Sequence, residues 1–328
     1  MTARIGVGSA FGSCGELLQG VTSDDRDFLV TLPIRQGSVA VFEPGAPDGA
    51  VVTQPPGKSK SQRVAEHMLA RARDHRGGRL TLISDLPEGK GLASSTADLV
   101  ATARAVADAH GRRITAWEIE DELRAIEPSD GVMYPGSVAF CHREVRLLTR
   151  LAPLPPLTIV TGDEGGRVDT IEFNRAEKPF TRADKREYTG LLTALTAAAA
   201  RGDVRDIGEI ATRSAQLSTV LRARPHLDFA IAAAREMGAL GVLVAHSGTT
   251  TGLLIADDDP RYPAKLCAAQ DIAAAFATDV HIHRSWRPGP PDRLDPSPPV
   301  SAVRSRPVSE PGPRIATALT DATAGSPR

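Results

Sequence analysis

The spacing of apolar residues divides the first half of the chain into alternating strands and helices. The segment Arg79–Leu86 alternates apolar and polar residues, which is typical of a strand with one buried face. Short β-rich runs bounded by turn formers predict further strands at residues 5–9, 28–32 and 38–43. Apolar residues three and four apart predict helices at residues 61–76, from 97 to 110, and from 114 onward.

The second half begins after the proline-rich segment Leu151–Pro156 and has a different order of elements. The same patterns predict a strand at 157–161, two or three helices between about 182 and 237, a hairpin of strands 239–245 and 251–256, a helix at 262–277 and a strand at 279–283. This order predicts an α+β fold. We therefore expect domains at residues 1–152 and 153–285. Residues 286–328 are rich in Pro, Arg and Ser, which predicts a disordered tail.

Composition excludes several classes of protein. The chain has 328 residues, with 39 Lys and Arg against 40 Asp and Glu, so its overall charge attracts neither nucleic acid nor an anionic membrane. No apolar run reaches the ~18 residues of a membrane-spanning helix, and the N-terminus lacks the apolar core of a signal peptide. Cys14, Cys141 and Cys267 are far apart, which favours reduced thiols. We expect a cytoplasmic protein with no nucleic-acid or membrane partner.

The strongest chemical signal is the segment Pro87–Thr96 (PEGKGLASST), between a predicted strand and a predicted helix. Its glycines allow the backbone to approach a ligand, and the first N–H groups of the helix are available to an anion. The segment therefore predicts a phosphate-binding loop. The alternative is a glycine turn in which Ser94 or Ser95 caps the helix. Two other nucleotide-binding motifs are absent. Val52 stands where a Walker A motif that ends at Gly57-Lys58-Ser59 requires glycine, and Phe11 stands where a dinucleotide-binding motif that begins at Gly6 requires its third glycine.

Three segments together resemble the motifs of the GHMP kinases, a family named for galactokinase and the homoserine, mevalonate and phosphomevalonate kinases. Pro87–Thr96 is similar to their phosphate loop, Gly12–Gly20 (GSCGELLQG) to their first motif, and Ala245–Leu253 (AHSGTTTGL) to their third. Within that family, the first two motifs and Glu127–Asp130 (EPSD) are most similar to the L-threonine kinases of cobalamin side-chain assembly.

The resemblance covers about residues 3–285 and implies the two-domain GHMP kinase fold. Residues 1–152 would form the N-terminal α+β domain with the phosphate loop, and residues 153–285 the ferredoxin-like C-terminal α/β sandwich. It also implies ATP and Mg²⁺ as cofactors and a small amino acid as the other substrate.

Roles for individual residues follow from the same resemblance. The nucleotide-binding residues that it indicates are Pro87, Glu88, Gly89, Lys90, Gly91, Leu92, Ala93, Ser94, Ser95 and Thr96. Ser95 and Glu127 would bind Mg²⁺, and Asp130 would accept the proton of the substrate hydroxyl as the catalytic base. Glu120 and Asp121 remain alternatives for the metal. The other interpretation of Glu127–Asp130 is a turn that ends a helix.

Glu16, Ser247 and Gly248 are the candidate substrate contacts. Glu16 would bind the amino group of an amino acid, and its alternative is a charge in a solvated loop. Ser13 stands where several members of the family have lysine, so we expect Lys90 to supply that positive charge instead.

These roles predict a kinase that transfers the γ-phosphate of ATP to the hydroxyl of L-threonine, giving O-phospho-L-threonine and ADP. Homoserine, serine or a modified amino acid is the alternative acceptor for the same chemistry. A non-catalytic GHMP-fold ligand sensor is the alternative of a different class, and the presence of Ser95, Glu127 and Asp130 disfavours it.

Overall fold

The computed structural model describes residues 4–45, 49–165 and 178–286. These residues form ten strands: β1 (Gly6–Val21), β2 (Asp27–Pro44), β3 (Val51–Gln54), β4 (Gly78–Ser84), β5 (Val138–Cys141), β6 (Arg146–Arg150), β7 (Leu157–Asp163), β8 (Gly241–Val244), β9 (Thr250–Ala256) and β10 (Asp279–Arg284). Their seven helices are α1 (Ser59–Arg71), α2 (Ser94–Ala109), α3 (Ala116–Arg124), α4 (Arg182–Arg201), α5 (Val204–Ser218), α6 (Leu227–Met237) and α7 (Tyr262–Ala274). The predicted tail lies outside the described residues, apart from Trp286. None of the seven helices is long and apolar enough to cross a membrane.

The ten strands of the described part form one sheet, in the order β10-β7-β9-β8-β1-β2-β4-β3, with β5 and β6 attached to β2. Neighbouring strands are antiparallel, except that β3 and β4 are parallel. The N-terminal and C-terminal halves of the sheet join where Glu16 on β1 pairs with Val244 on β8. The domain boundary expected at residue 152 stays a prediction.

Helix α2 packs on β1 and β2 through small side chains, and this packing fixes the position of its N-terminus. Ala101 and Ala105 are fully buried, and a side chain at Gly8 would lie 2.2 Å from the carbonyl oxygen of Ala101. The helix backbone therefore contacts the strand directly. Helix α5 packs against β1 and β8, where the Ser214 hydroxyl accepts a hydrogen bond of 3.0 Å from the backbone N–H of Gln19.

The structure confirms the predicted helices and the hairpin and corrects several strands. Residues 5–9 are the start of the 16-residue strand β1, which contains the whole first motif, and residues 28–32 and 38–43 belong to the single strand β2. From Gly12 onward every residue of β1 is buried, so the period-two pattern that marks a half-buried strand is missing there. Strands β3, β5 and β6 have only four or five residues each, which is too short for the pattern of apolar residues to predict them.

Candidate active site

The structure brings together three segments that are far apart in the sequence. The backbone N–H of Ser13, in the first motif, donates a 3.1 Å hydrogen bond to the carbonyl oxygen of Leu92. The hydroxyl of Thr250, in the third motif, donates a 2.8 Å hydrogen bond to the carbonyl oxygen of Lys90. The loop Pro87–Ala93 is therefore held from both halves of the sheet, just before α2 begins.

The conformation of this loop requires residues that accept positive φ. Gly91 has φ +76°, and a Cβ placed on it would lie 2.5 Å from the Cβ of Ala245. Ala93 precedes α2 in the left-handed conformation, with φ 55°, and no side chain caps the helix. The alternative in which Ser94 or Ser95 caps α2 is therefore wrong. The N–H groups of the first turn are left available to an anion, as a phosphate-binding loop requires.

Two acidic residues lie against the start of α2. The Ser95 hydroxyl donates a 2.5 Å hydrogen bond to Oε1 of Glu127, and Oε2 of Glu127 forms an ion pair with Lys60. The backbone N–H of Asp130 donates to the hydroxyl of Thr96 at 3.3 Å. The segment Glu127–Asp130 therefore does more than end a helix, because both of its acidic residues are hydrogen-bonded to the first turn of α2, Glu127 through its carboxylate and Asp130 through its backbone.

The alternative metal ligands on α3 are engaged elsewhere. Glu120 is buried, and its Oε1 accepts hydrogen bonds from the Tyr134 hydroxyl at 2.7 Å and the Leu147 N–H at 2.8 Å. Asp121 forms an ion pair of 2.7 Å with Arg124. The contacts of both residues are typical of structural roles.

Two carboxyl groups of the site, those of Asp130 and Glu16, have raised pKa values. Burial, and then the neighbouring Glu127, raises the pKa of Asp130 to about 6. Burial, and then the charge of Asp130, raises the pKa of Glu16 well above its usual value. Glu16 is only 4% exposed and lies within β1, so its interpretation as a charge in a solvated loop is wrong. Its Oε2 atom has no hydrogen-bond partner among the described residues.

The donor set of the site fits Mg²⁺ that arrives with a nucleotide. The described residues contain no group of three or more His, Cys, Asp and Glu side chains that could hold a metal ion by themselves. Ser95 and Glu127 offer one hydroxyl and one carboxylate. Mg²⁺ is commonly bound by one or two carboxylates together with substrate phosphates and water, so this incomplete set is what such a site needs.

Lys90 pairs with an acidic residue from the C-terminal half of the sheet, and its expected role as a positive charge for the substrates stays a prediction. Its ammonium group forms an ion pair with Asp163, at the end of β7, and Asp163 also accepts a hydrogen bond from the Thr249 hydroxyl. Burial alone would raise the pKa of Asp163, but the hydrogen bonds from Lys90 and Thr249 lower it. Lys90 therefore fastens the phosphate loop to the C-terminal half of the sheet.

Sequence reasoning missed Arg224, which lies behind the turn between β8 and β9. Its Nη2 atom donates to the carbonyl oxygens of Ala245 at 2.5 Å and Gly248 at 3.3 Å. The residue is 8% exposed, and its Nε and Nη1 atoms have no hydrogen-bond partner in the described part of the chain. Burial, and then neighbouring Arg222, lowers the pKa of Arg224 to about 10, so it is still a cation at neutral pH. Nothing in the local sequence marks this residue.

Ser247 and Gly248 lie in that same turn. Gly248 sits directly against the Lys90–Gly91 backbone, since a Cβ placed on it would be 2.7 Å from the carbonyl oxygen of Lys90. The structure thus brings Gly248 to the phosphate loop, and a direct contact of either residue with substrate stays a prediction.

Comparison with known proteins gives a consistent family assignment. The model of the GHMP kinases N terminal domain matches residues 59–140, and the model of the GHMP kinases C terminal matches residues 195–270. The chain is 27% identical to the L-threonine kinase of Citrobacter freundii over 74% of this chain and 84% of that protein. It is 29% identical to the 4-diphosphocytidyl-2-C-methyl-D-erythritol kinase of Pelotomaculum thermopropionicum over 81% of this chain and 86% of that one. The homoserine kinase structure from Cytophaga hutchinsonii superposes with a TM-score of 0.66 and 17% identity, covering 88% of this chain and 96% of that chain.

The chain belongs to the GHMP kinase superfamily and has its mixed α/β fold. It is an ATP-dependent kinase, a phosphotransferase whose acceptor is the hydroxyl group of a small molecule.

Proposed function

We propose that this kinase phosphorylates the side-chain hydroxyl of L-threonine, giving O-phospho-L-threonine and ADP. The similarity to an L-threonine kinase along most of the chain supports this acceptor. The motif resemblance supports a place in cobalamin side-chain assembly. The observation that carries the proposal is a pair of buried side chains, one acidic and one basic, with polar atoms that have no partner among the described residues.

Glu16 and Arg224 form this pair. Glu16 lies opposite Val244 in the sheet, and Arg224 binds the carbonyl oxygen of the next residue, Ala245. A buried polar atom without a partner is costly, so both side chains favour a ligand that satisfies them. A free amino acid carries the complement of both, an ammonium group for Glu16 and a carboxylate for Arg224. An ammonium group beside Glu16 would lower the pKa of this carboxyl group again, because a nearby positive charge favours the ionised form.

The reaction needs few groups, because phosphoryl transfer depends mainly on positioning and charge stabilisation. The phosphates of ATP would lie at the N-terminus of α2, with Ser95 and Glu127 holding Mg²⁺, which supplies neutralisation of phosphate charge. The hydroxyl oxygen of threonine would attack the γ-phosphorus of ATP, and the bond between that phosphorus and the ADP oxygen would break. Asp130 would accept the proton that the hydroxyl group loses. A pKa of about 6 leaves Asp130 ionised at neutral pH and able to take that proton.

The test compares L-threonine with L-threoninol, which keeps the hydroxyl and amino groups but lacks the carboxylate. A charged hydrogen bond contributes about 1.5–3 kcal/mol, so Arg224→Gln should raise the KM for L-threonine by about 10- to 100-fold. The KM values for L-threoninol and for ATP should change little. Arg222→Gln is the matched control, because Arg222 also binds the Gly248 carbonyl oxygen, at 2.8 Å. Equal losses with both acceptors would contradict the assignment of the carboxylate to Arg224.

A further inference from the structure

Two lysines at the start of α1 contact the acidic groups of the site. Lys58 Nζ lies 2.5 Å from Oε1 of Glu88 and 2.8 Å from Oδ2 of Asp98. Lys60 forms an ion pair with Oε2 of Glu127. The start of α1 is therefore a second wall of the phosphate-loop region.

Both carboxylate oxygens of Glu127 have a partner within the protein. The Ser95 hydroxyl occupies Oε1 and the Lys60 ammonium group occupies Oε2. An ammonium group and a divalent cation compete for the same negative charge, so a metal ion that binds Glu127 must displace Lys60 or share the carboxylate with it.

The two side chains of this ion pair differ in exposure to solvent. The Lys60 side chain is 44% exposed, whereas that of Glu127 is 13% exposed. Lys60 can therefore leave without burying an unpaired ammonium group, while Glu127 stays in place. Lys58 differs, because its partner Asp98 is buried and also accepts a 2.5 Å hydrogen bond from the Ser38 hydroxyl. Its contacts are those of a permanent ion pair.

We propose that Lys60 is a positioning residue that occupies the metal-binding carboxylate of Glu127 until Mg²⁺ arrives with ATP, and then releases it. The proposal rests on the metal role proposed for Glu127. While the nucleotide is absent, the Lys60 charge neutralises Glu127 and weakens the binding of free divalent cations. When ATP is present, its phosphates attract the exposed ammonium group away from Glu127. The enzyme thus favours the metal–nucleotide complex over the bare metal ion.

The test measures the Kd of the full-length protein for Mn²⁺, a paramagnetic substitute for Mg²⁺, without nucleotide. Electron paramagnetic resonance detects the Mn²⁺ that stays free in solution. A half-exposed ion pair contributes up to about 1 kcal/mol, so Lys60→Gln should lower the Kd for Mn²⁺ by about 2- to 5-fold. If Lys60 instead holds Glu127 in its binding geometry, the same substitution raises the Kd. The two interpretations therefore predict opposite signs.

Two further variants make the result specific. Lys58→Gln changes the net charge equally at a neighbouring position and should leave the Kd unchanged, so equal tightening in both variants would overturn the proposal. Glu127→Gln should weaken Mn²⁺ binding. If it does not, the metal role of Glu127 is wrong. If Glu127→Gln weakens Mn²⁺ binding but Lys60→Gln does not tighten it, only the role of Lys60 is wrong. Binding that cannot be detected in either the wild type or Lys60→Gln also contradicts the role of Lys60.

Discussion

Substitution of Asp130 by asparagine should make the protein more stable and much less active. Burial and Glu127 raise the pKa of Asp130 from 3.8 to about 6 in the folded protein. A carboxyl group whose pKa is higher folded than unfolded destabilises the fold above the folded pKa, and this penalty disappears as the pH falls below the unfolded value. The penalty is about 3 kcal/mol at pH 8 and about 1.5 kcal/mol at pH 5. Asparagine carries no charge, so Asp130→Asn should raise the free energy of unfolding by up to these amounts.

The assay is urea unfolding at pH 8 and pH 5, with the fluorescence of Trp117 and Trp286 as the signal that reports unfolding. Asp163→Asn is the control of opposite sign, because the hydrogen bonds from Lys90 and Thr249 lower the pKa of Asp163 despite its burial. That control should lose stability at pH 8. In kinase assays, Asp130→Asn should lower kcat by about 10²- to 10⁴-fold while the KM for ATP changes little.

Two results would refute this reasoning. If Asp130→Asn is less stable than wild type at pH 8, or if its free energy of unfolding rises by the same amount at both pH values, the substitution did not remove a destabilising negative charge. Turnover near the wild-type rate would exclude Asp130 from proton transfer, whatever happens to stability.

Three other predictions test separate parts of the site. In the wild type, kcat/KM should fall on the acid side with an apparent pKa near 6, and a profile flat to pH 5 would argue against Asp130 as the base. Gly89→Ala should lower the free energy of unfolding by about 1–2 kcal/mol for its φ of +74°. Gly91→Ala should lower the free energy of unfolding by about 1–3 kcal/mol more than Gly89→Ala does, because its Cβ would lie 2.5 Å from that of Ala245. Equal losses for the two variants in urea unfolding would contradict the packing of the loop. Ser95→Ala should raise the Mg²⁺ concentration that gives half-maximal activity, and an unchanged requirement would remove its hydroxyl from the metal site.

A glycine-containing loop that leads into α2 could be predicted from the sequence because its signal is local. The glycines at positive φ, Gly89 and Gly91, and the small residues that begin α2 all lie within residues 89–96. The hydrophobic pattern also predicts the helices and the hairpin in their correct order, whereas β1 and β2 are longer than predicted and β3, β5 and β6 are not predicted.

The partners of the charged groups could not be predicted, because they come from distant parts of the chain. Lys90 pairs with Asp163, 73 residues later, and Lys60 with Glu127, 67 residues later. The environment of Glu16 is also non-local. It is buried because β1 lies in the middle of the sheet, between β2 and β8, and a single stretch of sequence does not show which strands will become neighbours. Assigning a role to a charged residue therefore required the tertiary structure.

The most direct test of the proposed activity is ADP release at saturating ATP and Mg²⁺, with kcat/KM compared for L-threonine, L-serine, L-homoserine and 4-diphosphocytidyl-2-C-methyl-D-erythritol. We predict the highest value for L-threonine, with O-phospho-L-threonine as the product. A higher value for any other alcohol would leave the kinase chemistry in place but contradict the proposed acceptor. Absence of turnover with all four, while ATP still binds, would contradict L-threonine as the substrate and favour an untested alcohol or a ligand sensor.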